Sequence, residues 1–424
     1  MKKLYSLIDK IYRLENLQKA FKSVKRNNGA PGIDGVSVSD FSKNLQVNIE
    51  RLHEELKTNH YKPSAVRRVV IGKPDGGTRL LGIPTVRDRV VQQAFVNVVE
   101  PYYDKDFHPS NYGYRRGKSQ HQAVSKASLF MRKYELEHVV DMDLSKCFDT
   151  LDHDLILDAL SHKISDGRVL SLVKQFLKSG IMEEDVFVET ETGTPQGGVC
   201  SPLLSNIYLD YFDQKMKSKG IRMVRYADDI LIFASSKKEA GDYKHIASKI
   251  LEEELKLKVN TEKTRITSIF EGVAFLGFII KGRHLKVNPK RLKRFKEKIR
   301  LITKRNQSTP IGEVIKRLNP VLRGWLNYFR IADIKSLIKG LTAWIRRRLR
   351  SIRMKQWKTY KKMHKELDRK GIKHDGQQMN VILWKNSKTR EIHELMPNAY
   401  FRELKLYDLS QQEVGLLSSG KVAW

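Results

Sequence analysis

Two runs of apolar and β-branched residues meet at a polar tip between Met223 and Phe233. The tip carries two adjacent acids, Asp228 and Asp229, and flanking runs of this kind form strands. The pattern therefore predicts a β-hairpin that holds both carboxylates at its bend. A third acid, Asp143, stands in a similar setting at the end of an apolar run that starts at residue 139.

The rest of the chain before Lys281 has both helical and strand patterns. Residues 1–60 are mainly helical in pattern, interrupted at 27–35 by a Gly- and Pro-containing loop that by composition could be only a linker. Two β-prone runs, 66–71 and 78–83, flank a Gly-rich turn and predict a second hairpin. Ser201 followed by Pro202 predicts the start of a helix, with Ser201 as its N-cap.

Beyond Lys281 the pattern changes to helices. Apolar residues recur at helical spacing in three stripes: Leu292, Phe295, Ile299 and Ile302; Leu318, Leu322, Trp325 and Phe329; and Ile334, Ile338, Leu341, Ile345, Leu349 and Ile352. Three such helices can close a small bundle, with Trp325 and Trp344 in its core. Its outer faces are predicted to carry the cations, including Arg346, Arg347, Arg348 and Arg350. Residues 371–424 give no clear pattern.

Charge narrows the class of protein. The chain has 424 residues and a formal net charge of +32, from 80 Lys and Arg against 48 Asp and Glu. Between Lys281 and Lys370 there are 30 basic and 5 acidic residues, so most of the excess lies in one stretch. Ordinary solvated faces mix signs, whereas a one-sided surplus fits a polyanion, and nucleic acid before a membrane. We expect nucleic acid to bind there.

Other classes are disfavoured. The two cysteines, Cys147 and Cys200, form no Cys-x-x-Cys pair, which argues against a zinc module or a disulfide framework. Asp9 and Lys10 interrupt the N-terminal apolar run, and no segment approaches the ~18 apolar residues of a membrane span. We expect a cytoplasmic protein with no membrane partner.

The three acids indicate a metal site. Adjacent carboxylates repel one another, so keeping Asp143, Asp228 and Asp229 ionised requires a counter-charge, and hard divalent cations prefer oxygen ligands. The residues therefore predict a Mg²⁺ site. Lys73 and Arg79, on the predicted hairpin, either project toward a ligand or are ordinary solvated charges; spacing alone leaves both open.

At this point the chain resembles a known family. The segments 225–229, 143–149, 193–198 and 275–278 look like the ordered motifs of reverse transcriptases. The segments 29–35, 112–119 and 324–330 resemble, more narrowly, those of bacterial group II intron reverse transcriptases, also called maturases. The likeness runs from about residue 20 to 355 and looks most like the compact class without an HNH endonuclease domain. Arg116 departs from it, because the family usually has proline there.

The resemblance implies roles for individual residues. Asp143 and Asp228 would be the principal ligands of two Mg²⁺ ions, with Asp229 in support and the Leu144 carbonyl completing one shell. Two metal ions can stabilise the entering and leaving oxygens when a primer 3′-hydroxyl attacks the α-phosphorus. The nucleotide-binding residues would be Lys73 and Arg79 on the triphosphate, Gln196 beside the nucleotide and template, and Lys263 as a proton donor to pyrophosphate.

Phe148, five residues after Asp143, would select the sugar. A bulky aromatic ring facing C2′ clashes with a ribose hydroxyl, so the motif favours DNA synthesis. The alternative for Phe148 is an ordinary core position.

The expected architecture is an α+β right-hand polymerase, with fingers and an antiparallel palm sheet over residues 1–280. A basic helical thumb over 281–365 and a C-terminal segment over 366–424 complete it. The expected activity is RNA-directed DNA synthesis from dNTPs on an RNA template with a DNA or RNA primer. The expected further partners are the parent group II intron RNA, whose splicing and mobility the protein would assist, and target DNA. Two alternatives remain open: a reverse transcriptase from a non-intron bacterial system, and mainly an RNA-binding splicing cofactor.

Overall fold

The computed structural model describes residues 3–72, 76–183, 186–188, 192–194 and 197–417. The chain divides into two compact units, Met1–Ser268 and Ile269–Trp424. The predicted domain limits stay predictions, and the limit at residue 280 falls inside the strand Phe278–Lys281 of the second unit.

Helices make up most of the regular secondary structure of the first unit. They are Ile8–Tyr12 (α1), Leu14–Asn27 (α2), Val38–Lys43 (α3), Leu45–Lys57 (α4), Val86–Asp104 (α5), Gln120–Lys133 (α6), His153–Ser161 (α7), Gly167–Leu177 (α8), Ser201–Ser218 (α9) and Lys237–Lys249 (α10). The predicted mainly helical N-terminus is confirmed by α1 to α4. Helix α9 begins at Ser201 itself, one residue earlier than predicted, so Cys200 and not Ser201 is the N-cap residue.

The strands of the first unit form two four-stranded sheets. They are Val66–Gly72 (β1), Thr78–Ile83 (β2), His138–Met142 (β3), Ile181–Glu183 (β4), Val186–Val188 (β5), Arg222–Tyr226 (β6), Asp229–Ala234 (β7) and Arg265–Ser268 (β8). One sheet has the order β2-β1-β4-β5, with β1 and β2 antiparallel and β1 and β4 parallel. The other, fully antiparallel, has the order β6-β7-β3-β8. Both predicted hairpins, β1–β2 and β6–β7, are confirmed.

The antiparallel sheet is buried on both faces at its centre. Every residue of β7 after Asp229 is buried, and Val139 and Val140 of β3 are fully buried. Since a strand covered on both faces is a near-continuous apolar run, the polar residues at its ends mark where the sheet meets solvent. Asp229 and Asp143 occupy such ends.

The Gly- and Pro-containing loop before α3 is more than a linker. The guanidinium Nη2 of Arg89 on α5 donates to the Ala30 carbonyl at 2.8 Å. A Cβ on Gly32 would lie 2.6 Å from the Cα of Thr85, so only glycine allows this approach. The loop is therefore packed on the start of α5.

The second unit opens with a three-stranded antiparallel sheet and continues in helices. Its strands are Val273–Phe275 (β9), Phe278–Lys281 (β10) and His284–Val287 (β11), in the order β11-β10-β9. Its α-helices are Pro289–Ile302 (α11), Ile311–Phe329 (α12), Lys335–Trp357 (α13), Tyr360–Arg369 (α14), Arg390–Leu395 (α15) and Asn398–Glu403 (α16). The prediction of an all-helical region from Lys281 onward is wrong at β11, where only Leu285 and Val287 alternate inward.

The three predicted stripes lie on α11, α12 and α13. The stripe residues of α12 and α13 are all buried, and the Trp325 and Phe295 rings stack with centroids 4.3 Å apart. Trp325 is thus a core residue, as predicted. Trp344 is only half-buried, with the guanidinium groups of Arg300 and Arg348 over its ring.

Candidate active site

The β6–β7 turn presents two carboxylates at one end of the antiparallel sheet. Tyr226 pairs with Asp229, so Ala227 and Asp228 form the tip. Ala227 adopts a left-handed backbone with φ of +60°, which is unusual for a residue other than glycine. Asp228 is half-buried and Asp229 is exposed.

Asp143 lies beside this turn because of strand register. Strands β3 and β7 are antiparallel, and the last pair in their register joins Met142 to Ile230. The next residue of each strand toward the turn is Asp143 on one side and Asp229 on the other. The fold therefore brings the three predicted acids to the same corner of the sheet.

A lysine and a buried thiol surround this corner. Lys263 Nζ lies 3.3 Å from Oδ2 of Asp143, which places Lys263 in the predicted site. Burial raises the pKa of the Cys147 thiol to about 12, and the charge of Asp228 contributes to that rise. Such a contribution requires proximity, so the Asp228 turn lies next to the segment that follows Asp143.

One further acid of the β3 run is not at the tip. Burial raises the pKa of the Asp141 carboxyl, while the neighbouring Arg265 of β8, 3.5 Å away, opposes the rise. Asp141 is thus paired with a cation of its own sheet, although the charge of Asp143 also contributes to the rise.

A buried ion pair lies next to the turn that carries Asp228. The Arg225 and Asp213 side chains are fully buried, with Nη2 and Oδ2 2.5 Å apart. Nη1 of Arg225 donates to the Ala227 carbonyl at 3.1 Å and to Oδ1 of Asn206 at 3.0 Å. The guanidinium therefore ties the turn to helix α9.

The loop 110–117 packs directly against the same turn. Tyr112 N donates to the Arg225 carbonyl at 2.9 Å. Nδ2 of Asn206 donates to the Gly113 carbonyl at 2.8 Å. A Cβ on Gly113 would lie 2.1 Å from the backbone nitrogen of Ala227, so the contact excludes every other residue type.

Phe148 follows Asp143 in a short 3₁₀ turn, Cys147–Asp149. It is half-buried, and its carbonyl accepts from Thr194 N at 2.7 Å. A Cβ on Gly193, whose φ is +85°, would lie 2.6 Å from the Asp149 carbonyl oxygen. Gly193 and Thr194 are therefore packed on the segment that carries Phe148.

The side chains of three predicted nucleotide-binding residues, Lys73, Arg79 and Gln196, are not described. Lys73 and Gln196 lie outside the described residues. The backbone of Arg79 pairs with Ile71 in the β1–β2 hairpin, but its side chain is not described. The neighbouring Gly197 approaches this hairpin closely, since a Cβ there would lie 2.4 Å from the Gly82 carbonyl oxygen.

The four predicted thumb arginines are engaged within the second unit. Arg346 pairs with Asp408. The Arg347 guanidinium stacks on Trp384 at 3.8 Å. Nε of Arg348 donates to Oγ1 of Thr303 at 2.6 Å.

The position of Arg350 differs from the outer face that the sequence predicts. Its side chain is buried, Nε donates to the Met396 carbonyl at 3.0 Å, and burial lowers the pKa of the guanidinium to about 10. The prediction that Arg350 lies on an outer face is therefore wrong. Its position suits a residue that holds α13 to the segment before α16.

Comparison with known proteins connects this geometry to a family. Residues 71–280 match the model described as reverse transcriptase (RNA-dependent DNA polymerase). Residues 292–371 match the maturase-specific domain of group II introns. The chain belongs to the reverse transcriptase family. The resemblance seen in the sequence motifs is thus confirmed.

Relatives of this reverse transcriptase include two bacterial proteins. The Escherichia coli protein YkfC is 33% identical over 314 residues, which cover 65% of this chain and 82% of YkfC. The group II intron-encoded protein LtrA of Lactococcus lactis is 28% identical over 332 residues, 62% of this chain and 54% of LtrA. The chain thus matches about half the length of LtrA. Among solved structures, the telomerase of Candida albicans is 11% identical with a TM-score of 0.44, over 74% of this chain and 64% of the telomerase.

The donor atoms at the corner suit a hard divalent cation. Asp143 and Ser145 make the two ladder bonds to Asn260 and Lys258, so the carbonyl of Leu144 between them is directed away from Val259. Carboxylate and carbonyl oxygens are the ligands that Mg²⁺ prefers. As they stand, no three His, Cys, Asp or Glu side chains in the described part of the chain are arranged so that they could hold a metal ion. The oxygen donors are therefore of the type that fits Mg²⁺. To bind the ion, the Asp143 carboxylate would have to release the Lys263 ammonium, which lies 3.3 Å from its Oδ2.

Sequence reasoning missed the residues that support the turn. Asn206 and Asp213 stand seven residues apart on α9, hence on one face, and both are buried. Arg225 interrupts an apolar strand at a buried position. The sequence signal that could have predicted the ion pair is a cation within a mainly apolar strand, together with polar residues on one face of the preceding helix.

No helix in the described ranges is long and apolar enough to cross a membrane.

Proposed function

We propose that this protein is an RNA-directed DNA polymerase encoded by a group II intron, which copies RNA into cDNA and binds its intron RNA to assist splicing and mobility. The observation that carries the proposal is the strand register that sets Asp143 beside the Asp228 turn. Carboxylates brought together in this way can hold the two metal ions that assist nucleotidyl transfer. The match of residues 292–371 to the maturase-specific domain favours an intron system over the non-intron alternatives.

Each site residue has a proposed part in nucleotide addition. Asp143, Asp228 and the Leu144 carbonyl, with Asp229 in support, would hold two Mg²⁺ ions. When bound, these ions supply charge stabilisation to the entering and leaving oxygens.

The remaining residues would act on the nucleotide itself. From the family motifs, we assign Lys73 and Arg79 to the triphosphate and place Gln196 beside the incoming nucleotide and the template. Lys263, whose ammonium lies 3.3 Å from Asp143, is close enough to the acids to serve as the proton donor to pyrophosphate. Phe148 would exclude the ribose 2′-hydroxyl.

Nucleic-acid binding is assigned to the second unit. Exposed cations lie on α11 and on the preceding strand β11, including Lys286, Lys290, Lys293 and Lys298. A surface of this kind binds the phosphate backbone by releasing counterions. We propose that residues 281–365 act as the thumb and bind intron RNA, and that residues 366–424 contact target DNA.

A splicing assay tests whether the protein combines DNA synthesis with splicing assistance. It uses the group II intron RNA that encloses the gene for this chain, at near-physiological Mg²⁺. Wild type and Asp228→Ala should both accelerate splicing, because RNA folding needs a bound surface and not the acids. If neither protein accelerates splicing, the intron-binding half of the proposal is wrong, and a non-intron reverse transcriptase becomes the better assignment.

A further inference from the structure

Tyr114 lies in an unusual position beside Phe148. Its backbone is left-handed, with φ of +55°, a conformation that few residues other than glycine and asparagine adopt. Its ring meets the Phe148 ring edge-on, with centroids 6.2 Å apart and planes at 77°. This is a favoured aromatic geometry. Tyr114 is nevertheless 52% exposed, so burial does not explain its placement.

The residues on each side of Tyr114 fix where it stands. On one side, Gly113 is packed against Ala227 and its carbonyl accepts from Asn206. On the other side, the Arg115 side chain is almost buried, and its Nε donates to Oδ1 of Asp104 at 2.6 Å. Strained backbone persists where the surroundings over-determine it. Both neighbours of Tyr114 meet that condition.

The loop therefore joins two parts of the active site. Tyr112 is hydrogen-bonded to Arg225 of β6, and Gly113 packs on Ala227 in the turn that carries Asp228. Through Tyr114 the loop touches Phe148, whose own backbone is fixed by Thr194. Phe148 is only half-buried, so the protein core does not enclose it on every side.

We propose that Tyr114 is a positioning residue for sugar selection, which holds the Phe148 ring in the orientation that excludes a ribose 2′-hydroxyl. The inference rests on the proposed polymerase activity and on the proposed role of Phe148. It adds a second residue, from a different segment, to the discrimination between deoxynucleotides and ribonucleotides. The discrimination should then also depend on how loop 110–117 packs against the turn that carries Asp228.

The test compares kcat/KM for matched dNTP and rNTP pairs on one RNA template. The ratio in Tyr114→Ala should fall on the order of 3- to 10-fold, the loss expected for one edge-on aromatic contact. Tyr114→Phe keeps the ring and should keep the wild-type ratio. In the Phe148→Ala background, Tyr114→Ala should change the ratio no further, because the two residues act through one ring.

Tyr134 supplies a matched control. It is 45% exposed and meets Phe130 edge-on at 5.8 Å and 72°, in the same unit but outside the motifs. Tyr134→Ala should leave the dNTP-to-rNTP ratio at the wild-type value. A general loss of packing would instead move both variants alike.

Several results would overturn the inference. An unchanged ratio in Tyr114→Ala, an equal loss for both sugars, a Tyr114→Phe ratio as low as that of Tyr114→Ala, or a further loss in the double variant each contradicts it. Failure of the polymerase proposal is distinguishable, because then the wild-type protein itself incorporates neither nucleotide.

Discussion

Arg225 and Asp213 form an ion pair in which neither side chain reaches solvent. Removing two charges from water costs several kcal/mol for each, and only good geometry with further hydrogen bonds offsets it. Here the guanidinium also bonds to Asn206 and to the carbonyl of Ala227. The pair therefore serves to fix the turn that carries Asp228, and not simply to stabilise the fold.

Breaking this pair from one side should be costly. We expect Arg225→Leu to lower the free energy of unfolding by about 3–5 kcal/mol, because it leaves Asp213 buried without a counter-charge. The double variant with Asp213→Leu should lose less than Arg225→Leu alone. Urea denaturation followed by intrinsic fluorescence measures both.

The exposed pair of Lys43 and Asp40 is the control. Its side chains are 71% and 53% exposed, so Lys43→Leu should leave the free energy of unfolding nearly unchanged. The account of the buried pair is wrong if Arg225→Leu is as mild as Lys43→Leu.

The salt dependence of RNA binding should follow the exposed cations of α11. Replacing Lys290 and Lys293 with alanine should reduce the log-log slope of affinity against salt by roughly 0.7–0.9 for each lost phosphate contact. Lys237 and Lys238 on α10, also exposed, make the matched double variant in the first unit. A slope that changes equally in the two double variants contradicts the assignment of RNA binding to the second unit. Arg350 is unsuitable for this test because it is buried.

Asp210 should make stability depend on pH. Burial raises the pKa of its carboxyl from 3.8 to about 6, and the charge of Asp213 adds to the rise. The folded state therefore binds the proton more tightly than the unfolded state. The resulting stability is fully present below pH 4 and is lost as the pH rises through about 6.

Asp210→Asn removes that dependence. At pH 7 the variant should be more stable than wild type, on the order of 1–2 kcal/mol, and the difference should vanish near pH 4. Asp106 provides the contrast, because its bond with Lys163 lowers its pKa. Asp106→Asn should give no gain at pH 7. Thermal unfolding at the two pH values measures the differences, and a pH-independent effect of Asp210→Asn would contradict the sign.

Much of this site could be predicted from the sequence, because local pattern determines it. The alternation around Asp228 and the apolar run before Asp143 predict strands, and the helical spacing of Leu318, Leu322 and Trp325 predicts α12. What pattern cannot supply is partners that are distant along the chain. Arg346 finds Asp408, 62 residues later, and Arg350 finds the carbonyl of Met396. Local periodicity places both arginines on an outer face, because it does not reveal either partner.

Short elements were also hard to predict. Strand β11 has four residues and lies at the start of the strongly basic stretch 281–370, so its two inward positions give too little alternation to be distinguished from a helix start. The role of Tyr114 depends on a left-handed backbone and on packing against Ala227. Neither follows from residue type.

The most direct test of the central claim is extension of a DNA primer on an RNA template, with dNTPs and Mg²⁺, by wild type and Asp228→Ala. Asp242→Ala, which removes an exposed acid from α10, is the matched control. We expect wild type and Asp242→Ala to extend the primer, and Asp228→Ala to bind the template with nearly unchanged affinity but incorporate no measurable deoxynucleotide. Extension by Asp228→Ala at a sizeable fraction of the wild-type rate, or no extension by wild type, would contradict the assignment of Asp228 and Asp143 as the catalytic carboxylates of a reverse transcriptase.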